Sequence, residues 1–371
     1  MEAKYLILVN LIGAAVYYYY LWTANKGYGR EDERVPYPRK YVSVVIAARN
    51  ESNNIAELLV RLKNQNYPAE LYEIILADDG STDDTFDQAM RFAANWENLR
   101  VIRVKDREQA ISKKKNALQQ VIPLAKGEII LLTDADCLPG RGWISSMVGG
   151  FNENTDMVVG LSRTKDKNIS RVFSAEWFEH FDFMAMYGVA GGLIIAGKYF
   201  SCSGQNLAYK KASWEKVGGF SRIMHIISGD DVNLMQLFRQ AGMNIRFNQS
   251  PGSFTSTAVI DNWFSLINQR TRWASNTRYQ LQLNPEFFVY LMSALVVTFL
   301  PWALLAYQWK LGISLLVLRV FLEMSFLQKV FKKFKEPDGL IKTYPVWFIL
   351  QPAYMLIVGV SGLFGWFKWK K

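Results

Sequence analysis

Three short acidic segments carry the residue types that could do chemistry. Asp78-Asp79-Gly80-Ser81-Thr82-Asp83 follows an apolar run and precedes a helical one. Gly80 permits a tight turn there, and Ser81 or Thr82 is expected to cap the following helix. A carboxylate held in that turn can accept hydrogen bonds from a base or a ribose; an ordinary capped loop is the plain alternative. Thr133-Asp134-Ala135-Asp136 ends a second apolar run. At a strand end Asp134 and Asp136 point the same way, since side chains alternate along an extended chain, and two carboxylates so placed repel unless a cation sits between them; a polar turn with Asp136 as a cap is the plain alternative. Mg²⁺ typically takes one or two carboxylates and completes its shell with phosphate oxygens and water. Gly229-Asp230-Asp231 opens the amphipathic stretch Val232 to Phe238. A carboxylate there can act as a general base or simply cap the helix.

Two cationic segments accompany them. Gln269-Arg270-Thr271-Arg272-Trp273 offers guanidinium groups for phosphate and an indole for a sugar face. The alternative is snorkelling of Arg270, Arg272 and Arg278 at a membrane interface beside a tryptophan belt. Lys113-Lys114-Lys115-Asn116-Ala117-Leu118 could set a cation near a phosphate, although a run of lysines more often marks a solvated helix face. His180 and His225 stand alone in the sequence and are expected to have packing or surface roles.

The elements that must position these residues are legible as periodicity. Val42 to Ile46, Glu73 to Ala77 and Glu128 to Leu132 read as buried strands, and Asn53 to Asn64 has helical spacing. Strands alternating with helices predict an α/β fold with a mostly parallel sheet, in which ligands bind beyond the carboxyl ends of the strands. Two of the three strands run directly into Asp78-Asp79 and Asp134-Ala135-Asp136.

Outside that region the chain changes character. Of its 371 residues, 50% are hydrophobic and 14% aromatic, which fits a soluble-like domain joined to a few membrane spans. Tyr5 to Trp22 is an apolar run near the shortest spanning length, with a cleaved signal peptide as the alternative. Phe287 to Trp309, Gly312 to Gln328 and Tyr344 to Phe367 follow at the other end, and Arg319 and Glu323 within the middle one are spaced to pair on one helix face. Lys26, Arg30, Arg34, Arg39 and Lys40 after the first run place the central region in the cytosol by the positive-inside rule, as Lys329, Lys332, Lys333, Lys335 and Lys342 place the later loop. Lys368, Lys370 and Lys371 then fall outside, against the same rule, so one of the last two stretches is re-entrant or interfacial, or the smaller charge group loses. The expected organisation is a membrane helix over residues 1–25, a cytosolic domain over 40–260, an amphipathic interface helix over 261–285 and about three membrane helices over 286–371. The net charge of +10 suits anionic lipid or phosphorylated substrates; without an arginine-rich block or zinc-finger spacing, nucleic acid is not an expected partner. Cys137 and Cys202, the only cysteines, provide neither a disulfide framework nor a metal quartet.

Taken in order, these motifs resemble the family-2 glycosyltransferases of GT-A (Rossmann-like) fold, and within them the membrane-bound branch of cellulose, hyaluronan and chitin synthases and ceramide glucosyltransferases. Ala47-Ala48-Arg49-Asn50-Glu51 is similar to the P-x-x-N-E loop that lies along the nucleotide, with Ala47 in place of the proline. Asp79 matches the nucleobase carboxylate. Lys114 matches the lysine of G-K-x-x-A-L, although Lys113 stands where glycine is usual. Asp134 and Asp136 match the metal-binding D-x-D. Ser203-Gly204-Gln205-Asn206 is similar to the acceptor-side segment. Asp230-Asp231 matches the acidic pair E-D with aspartate first, and Gln269, Arg272 and Trp273 match Q-x-x-R-W.

The resemblance implies an inverting, hexosyltransferase-type transfer from a nucleotide-sugar, most simply a UDP-sugar, to a lipid or glycan acceptor at the cytoplasmic face of the cell membrane by a multi-pass protein. It implies Mg²⁺ or Mn²⁺ on Asp134 and Asp136. Asn50, Glu51, Asp79, Lys114, Asp134, Gln269 and Arg272 would bind the donor, and Gly204, Gln205 and Trp273 the acceptor. Asp231, with Asp230 beside it, would be the catalytic base. The few C-terminal spans favour a single transfer to lipid over a processive polysaccharide synthase. A non-catalytic glycan-binding or scaffold protein is the alternative of another class, disfavoured by intact acids in every motif.

Overall fold

The computed structural model describes residues 2–30, 39–105, 111–165 and 171–368; Arg34, Lys370 and Lys371, used above in the charge argument, lie outside the described residues. In chain order the strands are β1 (Val42–Ala48), β2 (Tyr72–Asp78), β3 (Leu99–Arg103), β4 (Ile129–Leu132), β5 (Cys137–Pro139), β6 (Met157–Gly160), β7 (Ser162–Thr164), β8 (Leu207–Lys210), β9 (Ile245–Asn248) and β10 (Thr255–Thr257). The helices are α1 (Glu2–Tyr28), α2 (Ile55–Lys63), α3 (Thr85–Ala93), α4 (Lys113–Val121), α5 (Trp143–Val148), α6 (Ala175–Ile195), α7 (Lys211–Lys216), α8 (Val232–Gln240), α9 (Trp263–Ala274), α10 (Thr277–Leu283), α11 (Pro285–Leu304), α12 (Trp309–Lys333), α13 (Asp338–Ile341) and α14 (Tyr344–Leu363). The chain forms two compact units, one of Glu31–Lys165 and Ser201–Ala258, the other of Met1–Arg30, Asp166–Phe200 and Val259–Lys371.

The first unit is the expected α/β fold. A seven-stranded sheet runs in the order β3-β2-β1-β4-β8-β6-β9, and a small sheet in the order β5-β10-β7. β1 is parallel to both β2 and β4, and β2 to β3. β8 is antiparallel to β4 and to β6, which leaves the sheet mostly parallel. β1, β2 and β4 are hydrophobic almost throughout because helices cover both faces. Val44, Ile46, Ile74, Leu76 and Leu131 pack with Ile55, Leu58, Leu59 and Leu62 of α2 and with Trp143 and Met147 of α5.

This topology selects one edge of the sheet. The parallel strands β1, β2 and β4 deliver Asn50-Glu51, Asp79 and Asp134 from the same end. Because β8 runs the other way, with Leu207 opposite Leu132, the residues just before it, Ser203 to Asn206, arrive at that end too.

The second unit is helical. Among the described residues, four of its helices are long and apolar enough to cross a membrane: Lys4–Tyr28, Pro285–Leu304, Trp309–Lys333 and Tyr344–Leu363. The third is a continuous 25-residue helix, Trp309–Lys333, which extends the expected apolar run at both ends; within it Arg319 and Glu323 pair at 2.8 Å and stay buried. The aromatic stretch Trp177 to Tyr187 belongs to α6, whose Gly192 lies against α1; a Cβ on Gly192 would run into the Ala24 carbonyl. Small residues let these backbones approach. His180 does not stand alone: its Nε2 lies 2.7 Å from Glu336 Oε2.

Candidate active site

At the carboxyl edge of the sheet, Lys114 joins two of the acidic motifs. Its Nζ lies 2.7 Å from Asp134 Oδ1 and 2.9 Å from Asp230 Oδ2. Burial works against a charged lysine here, but the carboxylates of Asp134 and Asp230 hold its pKa well above the ordinary value. Asp231 caps α8: its Oδ1 accepts the Val232 amide at 2.7 Å, and its Oδ2 accepts the Gly204 amide at 2.7 Å. Each carboxylate oxygen has two lone pairs, so one per oxygen is left for a substrate hydroxyl. The two acids are pushed apart. Burial opposes ionisation of Asp230, yet the Lys114 ammonium holds its pKa below the usual range. Burial first, and then the negative charge of Asp230, raise that of Asp231. Two adjacent acids separated in this way are a pattern of acid–base sites.

Gly204 sits in a tight space. A Cβ at this position would sit 3.1 Å from Asp230 Oδ2 and 3.5 Å from Lys114 Nζ. Gln205 is half-buried beside it, with its amide donating to Ser203 Oγ at 3.3 Å. Asn206, in contrast, is fully buried: it donates to the carbonyls of Leu161 and Ser253 and accepts from the Trp143 indole at 2.9 Å. It ties strands together and does not face a substrate.

Asp134 and Asp136 are half-buried around a buried Ala135. The expected reason for their pairing needs correction. The chain is no longer extended here; it turns, with the Cys137 amide donating to the Asp134 carbonyl at 3.1 Å. Thr257 Oγ1 donates to Asp136 Oδ2 at 3.3 Å. Among the described residues no group of three or more His, Cys, Asp or Glu is arranged to hold a metal ion. The two carboxylates are hard oxygen donors, and they fit a Mg²⁺- or Mn²⁺-type ion whose remaining ligands come from phosphate or water.

The nucleotide-side candidates form one braced pair of loops. Asn50 has φ 54°, and its Oδ1 accepts the Thr82 amide at 2.8 Å, while Ser81 Oγ accepts the Asn50 amide at 3.1 Å. Glu51 Oε2 accepts from Asn54 at 2.7 Å, and its amide donates to Thr85 Oγ1 at 2.7 Å. Ser81 and Thr82 thus bind Asn50 and do not cap α3, whose first amide is taken by Asp83 at 3.0 Å. Asp78 is fully buried against Arg103 at 3.3 Å, whereas Asp79 is half-buried and leaves the strand with its amide on the Ala48 carbonyl.

Gln269, Arg272 and Trp273 lie in the helical unit on α9, spaced to share one face. All three are half-buried. Arg270, which the interfacial reading would place in a headgroup region, is buried: its Nη1 donates to Gln269 Oε1 at 2.7 Å and its guanidinium stacks 4.1 Å from the Trp273 ring centre. Cys137 and Cys202 are free and buried, and burial together with nearby aspartates pushes both thiols up.

Sequence reasoning missed Lys115. The tri-lysine run looked solvated, yet this side chain has no exposed surface and donates to backbone carbonyls of Ile223, Ile226 and Ser228. Carbonyl partners leave no trace in a sequence.

Residues 43–218 match the profile of Glycosyl transferase family 2. Among curated relatives, glycosyltransferase AglE of Haloferax volcanii is 27% identical over 208 residues, covering 56% of this chain and 64% of that protein. Beta-monoglucosyldiacylglycerol synthase of Nostoc sp. is 43% identical over 96 residues, 26% of this chain and 20% of that protein. The chain therefore spans less than two-thirds of either relative. Among solved structures, mannosyltransferase PcManGT from Pyrobaculum calidifontis, captured with GDP-Man and Mn2+, superposes with a TM-score of 0.67 at 21% identity over 98% of this chain and 99% of that one. The α/β unit has a GT-A-like fold, and residues 43–218 of this chain are similar to the Glycosyl transferase family 2 domain.

Proposed function

We propose that the protein is a membrane-embedded glycosyltransferase that moves one sugar from a nucleotide-sugar to a lipid acceptor with inversion, at the cytoplasmic face of the cell membrane. The single observation that carries the reading is Lys114, which bridges Asp134 and Asp230 at 2.7 and 2.9 Å and so brings the D-x-D segment together with the acidic pair. Asp231, oriented by the Gly204 and Val232 amides, takes the proton of the acceptor hydroxyl. The hydroxyl oxygen bonds to the anomeric carbon as the bond from that carbon to the diphosphate breaks, and the nucleoside diphosphate leaves. Burial, and then the charge of Asp230, raise the pKa of Asp231, so its carboxylate is a stronger base than a solvated aspartate.

Lys114 lies where negative charge develops on the departing diphosphate. A divalent cation held by Asp134 and Asp136, with donor phosphate oxygens completing its shell, would neutralise that charge further. Asn50, Glu51 and Asp79 bind the nucleoside, and Gln205 holds the acceptor. A lipid acceptor is supported by the four apolar helices and by the lipid-glycosylating relative.

The test is a donor panel. Full-length protein in native lipid is incubated with labelled UDP- and GDP-sugars and Mg²⁺ or Mn²⁺, and products are separated by chromatography and mass. Label migrating as a glycolipid with one added sugar is expected. Label in a polymer would overturn the single-transfer reading, and no transfer from any donor would overturn the enzymatic one.

A further inference from the structure

Lys115 neighbours the lysine that bridges the acids, yet its ammonium faces elsewhere. It has no exposed surface. Its Nζ lies 3.2 Å from the Ile223 carbonyl and 2.8 Å from that of Ser228, and it also binds the carbonyl of Ile226. These carbonyls belong to the irregular segment that leads into Gly229, Asp230 and Asp231. That segment runs from the last residue of a short 3-10 turn, Ser221–Ile223, to α8, and Gly229 has φ +71°. The Ser228 carbonyl accepts a second donor, Asn233 Nδ2 at 3.2 Å.

A buried ammonium is costly unless its three protons find acceptors. Here all three do, on three carbonyls of one short segment, as a bound cation would gather them. Burial lowers the Lys115 pKa to about 8, and the charges of Asp230 and Asp231 oppose that shift. The lysine thus interacts electrically with the two acids that follow the segment whose carbonyls it holds.

We propose that Lys115 is a positioning residue, whose ammonium folds the 223–228 segment around itself and so fixes the angle at which Asp230 meets Lys114 and Asp231 meets the Gly204 amide. This rests on the reading of Asp231 as the base. Two consecutive lysines at the start of α4 then divide the work: Lys114 binds the carboxylates and Lys115 binds the backbone that presents them. A lysine that merely stabilised the fold would affect thermal stability but not the chemical step of the folded enzyme.

The experiment compares Lys115→Met, Lys115→Gln and Asp231→Asn in the full chain, in native lipid, at a temperature where each is folded by circular dichroism. For Lys115→Met we expect kcat to fall by about tenfold or more while donor KM stays within about threefold, the split that marks a lost transition-state interaction. Lys115→Gln, whose amide can donate to two of the three carbonyls, should recover part of kcat; if the methionine variant does not fold, the glutamine variant is read in its place. An unchanged kcat with Asp231→Asn inactive overturns the positioning role alone. An active Asp231→Asn overturns the base assignment and this inference with it.

Discussion

The Gly204 amide donates to Asp231 Oδ2 at 2.7 Å, and the same glycine leaves 3.1 Å between its absent Cβ and Asp230 Oδ2. One residue therefore both aims the base and makes room for its partner acid. Gly204→Ala should preserve the fold but force the Asp230 carboxylate or the loop to shift by a few tenths of an ångström. A misaligned base is costly, and we expect kcat to fall roughly tenfold to a hundredfold with donor binding retained. Steady-state kinetics with calorimetric donor titration checks this; wild-type kcat would refute it.

As the proposed base, Asp231 should set the acid limb of the pH profile. Its folded pKa is raised above 3.8 by burial and by Asp230. The carboxylate is the active form, so kcat should drop as pH falls through that raised value and be full above it. Lys114 acts in the opposite sense on Asp231, so Lys114→Met should move the limb to higher pH as well as lower the rate. Rates over about pH 4 to 8 report both effects; a limb that stays in place in the variant would separate Lys114 from the base. Asp231→Asn should lose about a hundredfold or more in transfer.

Asp136 meets Thr257 and Asp134 meets Lys114, so the two members of D-x-D should respond differently. Asp136→Asn is expected to weaken divalent-cation affinity about tenfold or more, with activity recovering as Mn²⁺ is raised. Asp134→Asn also removes the Lys114 ion pair and should not recover. Chelator should silence the wild type reversibly. Metal titrations of activity distinguish the cases, and equal recovery of both variants would contradict the division of roles.

Much of this site could be read from residue order. β1, β2 and β4 announce themselves as apolar runs, and parallel pairing then carries their acidic ends to one edge. What sequence could not supply were the contacts made to backbone. Asp134 and Asp136 lie in a turn and not in an extended strand, because the Asp134 carbonyl accepts from the Cys137 amide. Ser81 and Thr82 serve Asn50 because the two loops lie side by side. Arg270 and Lys115 look like surface cations, and both are buried, one on an indole and one among carbonyls. The grouping of residues 166–200 with the helical unit is likewise set by packing such as that of Gly192 on α1.

Glu323 is the hub of a buried polar cluster in the helical unit, and its removal should be felt as stability. Its Oε1 accepts from Arg319 Nε at 2.8 Å and from the Tyr17 hydroxyl at 2.7 Å, and its Oε2 accepts from the Tyr344 hydroxyl at 2.8 Å. Arg319 also binds Gln351 and lies over the Phe348 ring at 5.0 Å. These bonds join α1, α12 and α14. Glu323→Leu strands a guanidinium that is 1% exposed, and an uncompensated buried charge costs about 3–5 kcal/mol. Replacing both partners removes the charge with its counter-charge, so Arg319→Leu with Glu323→Leu should regain most of that loss. Thermal unfolding of the full chain in lipid nanodiscs reads the difference: a double variant no more stable than Glu323→Leu would mean that the tyrosine and glutamine bonds, and not the ion pair, hold the three helices together.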